Sequence, residues 1–204
     1  MAEKFLDNLY HDSTQSETTA TYDAWAASYD TEITDNGYAT PDRLAKALFE
    51  HVPDPQMPIL DFGCGTGLSG LALTRAGFKV IDGLDPSSEM LNGARVKGIY
   101  RNLSFLDVTN NTPIPKGSYP ALVAIGVIGP GAAPPETIHI LMNALDSGGV
   151  LAFSFNDHAI ADKTFELALN YWLNSDAACL VFKQHGPHLP GQNIKSNVYI
   201  VEKT

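Results

Sequence analysis

The sequence predicts an α/β fold built on a largely parallel sheet with helices on its faces, and three observations carry that expectation. Short apolar runs alternate with segments whose apolar residues recur at helical spacing from Ile59 onward, the mark of repeated βα units. One junction, Ile59-Leu60-Asp61-Phe62-Gly63-Cys64-Gly65-Thr66-Gly67, passes from buried strand to glycine turn to helix start without a gap. A length of 204 residues with 44% apolar content suits one domain with a core of ordinary size.

Taken in order, the chain opens with a polar stretch, residues 1 to about 18, that reads as frayed or weakly helical. Tyr22, Trp25, Ala26, Tyr29 and Ile33 then share one helix face. That face either docks on the core or folds over the carboxyl edge of the sheet, where Tyr and Trp wall off a ligand while keeping a polar handle. Thr40-Pro41 reads as a helix start with Thr40 as N-cap, and Leu44, Ala47, Leu48 and Val52 form that helix's buried face. His51 in its last turn suits the helix dipole.

Ile59 to Phe62 is the first strand, and the helix after it runs to Ala76 with Gly77 as cap. Phe78 to Leu84 is the second strand, followed by a helix holding Met90, Leu91 and Ala94 that Gly98 breaks. Leu103 to Leu106 and Ala121 to Ile125 are the third and fourth. A helix opening at Pro134-Pro135 with Ile138, Leu141, Met142 and Leu145 at core spacing precedes the fifth strand, Val150 to Phe155, whose continuous apolar run fits burial on both faces. A helix from Asp162 to Asn174 follows, then strands at Cys179 to Gln184 and Lys195 to Glu202. Their linker, His185 to Gly191, is too long for a tight hairpin and is a functional candidate.

The formal net charge is −10, with 13 Lys plus Arg. That leaves little for tracking phosphates, so nucleic acid is not expected as a partner and a small molecule is. Cys64 and Cys179 are too few for a disulfide framework, and the six His form no pair with acids at metal-site spacing, so no metal is expected. Met1 to Ser16 lacks the apolar core of a secretion signal, and the run from Ala121 to Ile128 falls far short of a membrane span. The expectation is a cytoplasmic protein with no membrane partner, monomeric or homodimeric.

The glycine junction carries the chemistry. Glycines at 63, 65 and 67 permit positive φ and let a ligand approach backbone N–H groups at the carboxyl end of a strand, beside a helix N-terminus. Asp85 stands 18 residues beyond Gly67, about where a nucleoside-binding unit places the carboxylate that accepts both ribose hydroxyls. Two carboxylate oxygens suit a vicinal diol; an N-cap role for Asp85 is compatible with this.

Asp61-Phe62-Gly63-Cys64-Gly65-Thr66-Gly67 resembles the acid-x-Gly-x-Gly-x-Gly motif of the class I S-adenosylmethionine-dependent methyltransferases. Tyr22-Asp23-Ala24-Trp25-Ala26-Ala27-Ser28-Tyr29-Asp30 is similar to the Tyr-Asp-x-Trp-Ala-x-x-Tyr-Asp segment of their small-molecule members, including the Williams–Beuren-region methyltransferase-like group. Asp85-Pro86-Ser87-Ser88-Glu89-Met90 and Leu145-Asp146-Ser147-Gly148-Gly149-Val150-Leu151 also resemble family segments, with Ser147 in a usual Pro position and Pro120-Ala121 where an Asp is usual. The resemblance implies a three-layer sandwich around a seven-stranded mostly parallel sheet, order 3-2-1-4-5-7-6 with the last strand antiparallel. It implies S-adenosyl-L-methionine as cofactor, with residues 1–38 as a helical lid on a Rossmann-like core, 39–204, of a single domain. The residues it points to are Tyr22, Trp25, Tyr29, Asp61, Gly63, Cys64, Gly65, Gly67, Asp85, Pro86, Met90, Asp107, Val108 and Ile125. Among these, Asp61 would help hold the ammonium end and Asp107 with the Val108 N–H the adenine.

Methyl transfer needs a nucleophile held about 3 Å from the methyl group with water excluded. A hydroxyl or amine acceptor would gain from a general base, for which Asp157, His158, His185 and His188 are the cleft-edge candidates, with Tyr38 as an acceptor-side contact. His11 and His139 have no such role. The expected activity is S-adenosylmethionine-dependent methylation of a small molecule; the alternatives are a nicotinamide-dependent oxidoreductase and a binding module without turnover.

Overall fold

A computed structural model of the chain describes residues 15–204. The described residues form one sheet from β1 (Ile59–Phe62), β2 (Ile81–Asp85), β3 (Asn102–Phe105), β4 (Ala121–Ala124), β5 (Val150–Asn156), β6 (Ala178–Leu189) and β7 (Ile194–Lys203). Their order is β3-β2-β1-β4-β5-β7-β6. The first five strands pair in parallel and β7 runs antiparallel between β5 and β6, as the resemblance implies.

Alternation along the strands sorts the layers. Leu60, Phe62, Leu122, Ala124, Leu151 and Phe153 face α5 (Thr137–Ala144) and α7 (Lys163–Asn174). Ile59, Ile81, Ala121, Val123, Ala152 and Ile200 face α2 (Thr40–His51) and α3 (Leu68–Ala76). Burying both faces is what lets the central strands be apolar throughout. Helix α4 (Ser88–Lys97) covers the β2 and β3 end, and α1 (Gln15–Asp35) lies on α4. A third apolar cluster of Trp25, Ile33 and Leu189, with Tyr22, Tyr29 and Tyr38 against it, fastens α1 across the carboxyl edge. No helix among the described residues is long and apolar enough to cross a membrane.

Several boundaries differ from the sequence reading. The chain is already helical at Gln15; the reading of the residues before it, and of His11, lies outside the described residues. Strand β2 begins three residues later than expected, at Ile81, because Phe78 is turned into the α2–α3 layer, edge-on to Phe49 at 5.1 Å, and its N–H closes α3 on Leu73 O. Strand β3 spans Asn102–Phe105, one residue earlier than expected. Thr40 is the first residue of α2 and makes no cap; its hydroxyl meets His188 and Ser196 instead. Helix α5 starts at Thr137, the prolines before it forming the turn that accepts the Thr137 and Ile138 N–H groups.

A short helix that the sequence pattern did not announce, α6 (Asp157–Ala161), is capped by Asn156, whose Oδ1 accepts the Ala159 N–H at 3.0 Å. The supposed linker from His185 is mostly strand: β6 runs unbroken to Leu189, and only Pro190–Gln192 turns the chain before β7. Pro187 is tolerated there because β6 is an edge strand with a register shift at Pro187/Leu189.

Candidate functional site

The glycine turn sits where β1 ends and α3 begins. Gly63, Gly65 and Gly67 have φ of +69°, +53° and +94°. The Gly63 and Cys64 N–H groups donate to Leu84 O, bending the loop onto the end of β2. A Cβ on Gly65 would meet nothing within 4 Å, so this position opens onto empty space and glycine is required there for its left-handed φ alone.

Asp85 closes the far side. Its Oδ2 accepts the Gly65 N–H at 2.8 Å and its Oδ1 the Ser87 N–H at 2.9 Å. Each oxygen keeps a second lone pair. Burial pushes the carboxyl up to about 6 against these stabilising hydrogen bonds. The cap of α4 is Ser87 rather than Asp85: Ser87 Oγ accepts the Met90 N–H at 3.0 Å.

A cavity of about 170 Å³ opens beside this loop at the carboxyl ends of β1, β2 and β4. Of the residues expected to bind a cofactor, Tyr22, Tyr29, Gly63, Cys64, Gly65, Asp85, Pro86, Met90, Asp107, Val108 and Ile125 line it. Asp107 stands at the rim, its Oδ1 taken by the Thr109 N–H and hydroxyl, which hold its carboxyl below the usual range. Burial pushes the Cys64 thiol far up, so it is an apolar wall and no nucleophile.

Trp25, Asp61 and Gly67 do not line this cavity, each for a physical reason. Trp25 is fully buried behind its neighbours, 4.6 Å from the Tyr29 ring and 5.9 Å from that of Tyr22, with Nε1 donating to Glu32 Oε2 at 2.8 Å. Gly67 is pressed against α4 and Tyr100, whose ring a Cβ would approach to 3.1 Å. Asp61 points from β1 into the α3 layer. Its Oδ2 accepts from Ser69 Oγ at 2.6 Å and Tyr100 Oη at 2.7 Å, while Oδ1 is buried without a partner. Burial raises its carboxyl to about 7. Ser69 does reach the cavity, so Asp61 meets a ligand only through Ser69 and the loop.

On the opposite wall, Val127, Ala132, Ala133, Thr137 and Ile140 join Gly126, and none of them was among the residues expected to bind the cofactor. The wall's signal in the sequence is the cluster Gly126, Gly129, Pro130, Gly131 after the fourth strand, since glycine and proline concentrated in a loop at a sheet's carboxyl edge mark a binding loop.

A second chamber of about 40 Å³ adjoins the first, and Tyr22, Tyr29, Tyr38, Gly126 and Ala132 line both. Gly126 has φ +70°, and a Cβ there would lie 2.1 Å from the Tyr38 hydroxyl, so this residue is glycine for both reasons. Of the candidate bases, His188 alone lines the chamber. Its Nδ1 is 2.8 Å from Thr40 Oγ1, and burial pulls its pKa down to about 4. Asp157 is turned away, accepting the Lys195 N–H at 2.8 Å. His185 bonds Asn197 Oδ1 at 2.9 Å, and neither it nor His158 lines either of these two cavities.

Helix α1 is tied to the site by polar contacts. Asp30 on α1 pairs with Lys97 on α4 at 2.6 Å and accepts from the Thr66 hydroxyl in the glycine loop. Asp23 accepts from the Ser87 hydroxyl.

Comparison with known proteins agrees with this geometry. A family model described as a methyltransferase domain matches residues 34–197. Methyltransferase-like protein 27 of Homo sapiens is 33% identical over 120 residues, covering 57% of this chain and 49% of that protein. The 18S rRNA (guanine(1575)-N(7))-methyltransferase of Saccharomyces cerevisiae is 40% identical over 70 residues, covering 34% of this chain and 26% of that protein. The chain therefore spans about half, or less, of the curated relatives it matches. Among solved structures, magnesium protoporphyrin IX methyltransferase from Synechocystis with bound S-adenosylmethionine superposes with a TM-score of 0.60 at 17% identity, over 98% of this chain and 90% of that one. With strand order, glycine loop and family model in agreement, the chain belongs to the methyltransferase domain family and has the class I S-adenosylmethionine-dependent methyltransferase fold.

Proposed function

We propose that the chain binds S-adenosylmethionine in the main cavity and directs its methyl group to a small-molecule acceptor. The observation that carries this reading is Asp85, whose two oxygens each hold a backbone N–H and keep a lone pair beside a left-handed glycine loop in one cavity. Those lone pairs fit the ribose diol, and the open space over Gly65 fits the chain that continues from it. Asp107 and the Val108 N–H stand at the adenine end. Ser69, backed by the Asp61 carboxylate, stands at the methionine end.

S-adenosylmethionine supplies an activated methyl group on a sulfonium. The tasks left to the protein are orientation and exclusion of water, and Tyr22, Tyr29 and the buried Trp25 behind them serve the second. Helix α1 and the turn after it act as the lid on the core that follows; the expected lid's first 14 residues lie outside the described residues. The net charge of −10 favours a small acceptor over a polynucleotide.

Thermal melts with S-adenosylmethionine, S-adenosylhomocysteine and NAD test the cofactor. The first two should raise the midpoint; a rise with NAD alone would replace this reading with the oxidoreductase. Release of S-adenosylhomocysteine in the presence of acceptors separates an enzyme from a binding module.

A further inference from the structure

The second chamber has properties that a cofactor site does not require. Among the described residues no Asp, Glu, Lys or Arg lines it. The rings of Tyr22, Trp25, Tyr29 and Tyr38 wall one side, with Ile128 and Leu189 beyond them. Besides the tyrosines and Trp25, three polar side chains line it among the described residues: Ser154 Oγ accepts the Gly126 N–H at 2.9 Å, and Asn156 Oδ1 caps α6. The third, His188, has Nδ1 tied to Thr40, whose hydroxyl is 2.7 Å from Ser196 Oγ, which Arg43 Nη1 holds at 3.1 Å. Among the described residues no protein hydrogen bond takes its Nε2.

We propose that this chamber receives the methyl acceptor, that the acceptor is a small uncharged aromatic or heteroaromatic molecule bearing a hydroxyl or ring N–H, and that His188 Nε2 takes its proton. The proposal rests on the cofactor reading above.

The chamber is about a quarter the size of the main cavity and joins it through Tyr38 and Gly126, so it holds a ring and little more. A wall of aromatic faces and edges stacks planar molecules, whereas a charged molecule would lose its hydration with no opposite charge to meet it. His188 is neutral at physiological pH through burial, with Arg43 and His158 acting in the same sense and Asp157 against them. Either tautomer satisfies the Thr40 contact; in the one whose Nδ1–H donates to Thr40, Nε2 presents its lone pair.

In the transfer, the acceptor oxygen or nitrogen forms its bond to the methyl carbon as the carbon–sulfur bond breaks. The bonding pair stays on sulfur, and the acceptor's proton passes to Nε2 and then to solvent with the product. Thr40 is a positioning residue that holds the ring for this.

Saturation-transfer NMR on the chain loaded with S-adenosylhomocysteine tests the proposal without turnover. The probes are phenol and 3-hydroxypyridine, against 4-hydroxybenzoate and a short guanine-containing RNA. The neutral aromatics should show saturation transfer. Gly129→Leu should remove it while S-adenosylhomocysteine binding is unchanged, since Gly129 lines only the second chamber and its Cβ would have ordinary clearance of 3.5 Å from Ala159. With a turned-over acceptor, His188→Gln should lower kcat about 100-fold without changing cofactor affinity. Binding of the anion or the RNA in place of the neutral probes, or of none of the four, would overturn the acceptor proposal and leave the cofactor reading intact. Failure to bind S-adenosylhomocysteine at all would overturn the cofactor reading, and this proposal with it.

Discussion

Asp85 commits one lone pair of each carboxylate oxygen to its own backbone and keeps the other for a ligand. Asp85→Ala is therefore expected to weaken S-adenosylmethionine binding by about 1.5–3 kcal/mol, the worth of hydrogen bonds to a charged acceptor; calorimetry showing unchanged affinity would refute the ribose role. Asp61 is the opposite kind of carboxylate, buried, half-satisfied and raised from 3.8 to about 7. Between those pH values the folded chain retains a proton the unfolded chain has released, so this group's contribution to stability falls as pH rises through the window and is level above it. Asp61→Asn keeps an oxygen for Ser69 and Tyr100 and should reduce the fall of the urea midpoint between pH 4 and 7, leaving the part carried by Asp85, itself raised to about 6. An unchanged slope would show that Asp61 does not carry the proton. Residue identity was legible at Gly63, Gly65 and Asp85 because spacing along one βα unit determines where they lie. That Asp61 faces the α3 layer, and that Ser87 rather than Asp85 caps α4, depends on side-chain direction, which spacing does not encode.

Helix α1 is the element whose role turns on a few contacts. Trp25 is fully buried, so Trp25→Ala removes core volume worth about 3–5 kcal/mol and reports stability more than closure. The cleaner probe is Asp30, which ties α1 to Lys97 and Thr66 at the site. Its ion pair is partly exposed, so Asp30→Ala should cost no more than about 1 kcal/mol of stability while speeding cofactor release in stopped-flow displacement. A release rate equal to the parent's would count against the lid. The strands and the longer helices could be read from periodicity, though α6 could not; ends could not either, because packing decides them. Phe78 leaves the expected strand for the α2–α3 layer, and Thr40 gives up a cap for a bond to His188. The β6 extension past His185 was hidden because glycine and proline there look like a loop, and only pairing with β7 reveals an edge strand.

At the scale of the molecule, seven strands bring the glycine loop, Asp85, Asp107 and Ile125 from four separate segments to one cavity. The order of those strands followed from the family resemblance, since alternation alone specifies a parallel sheet and not its sequence of neighbours. His188 reaches the same edge from β6, far along the chain, through tertiary pairing that no local pattern announces. A ligand held by so many segments stabilises the whole fold: at 100 times its Kd it adds about 2.7 kcal/mol, roughly 5–11 °C in melting midpoint for a chain of this length. Isothermal titration of the purified chain with S-adenosylmethionine reads the central point most directly. One binding site per chain, lost or much weakened in Asp85→Ala, is the expected result; no heat up to millimolar ligand, for both S-adenosylmethionine and S-adenosylhomocysteine, would contradict it.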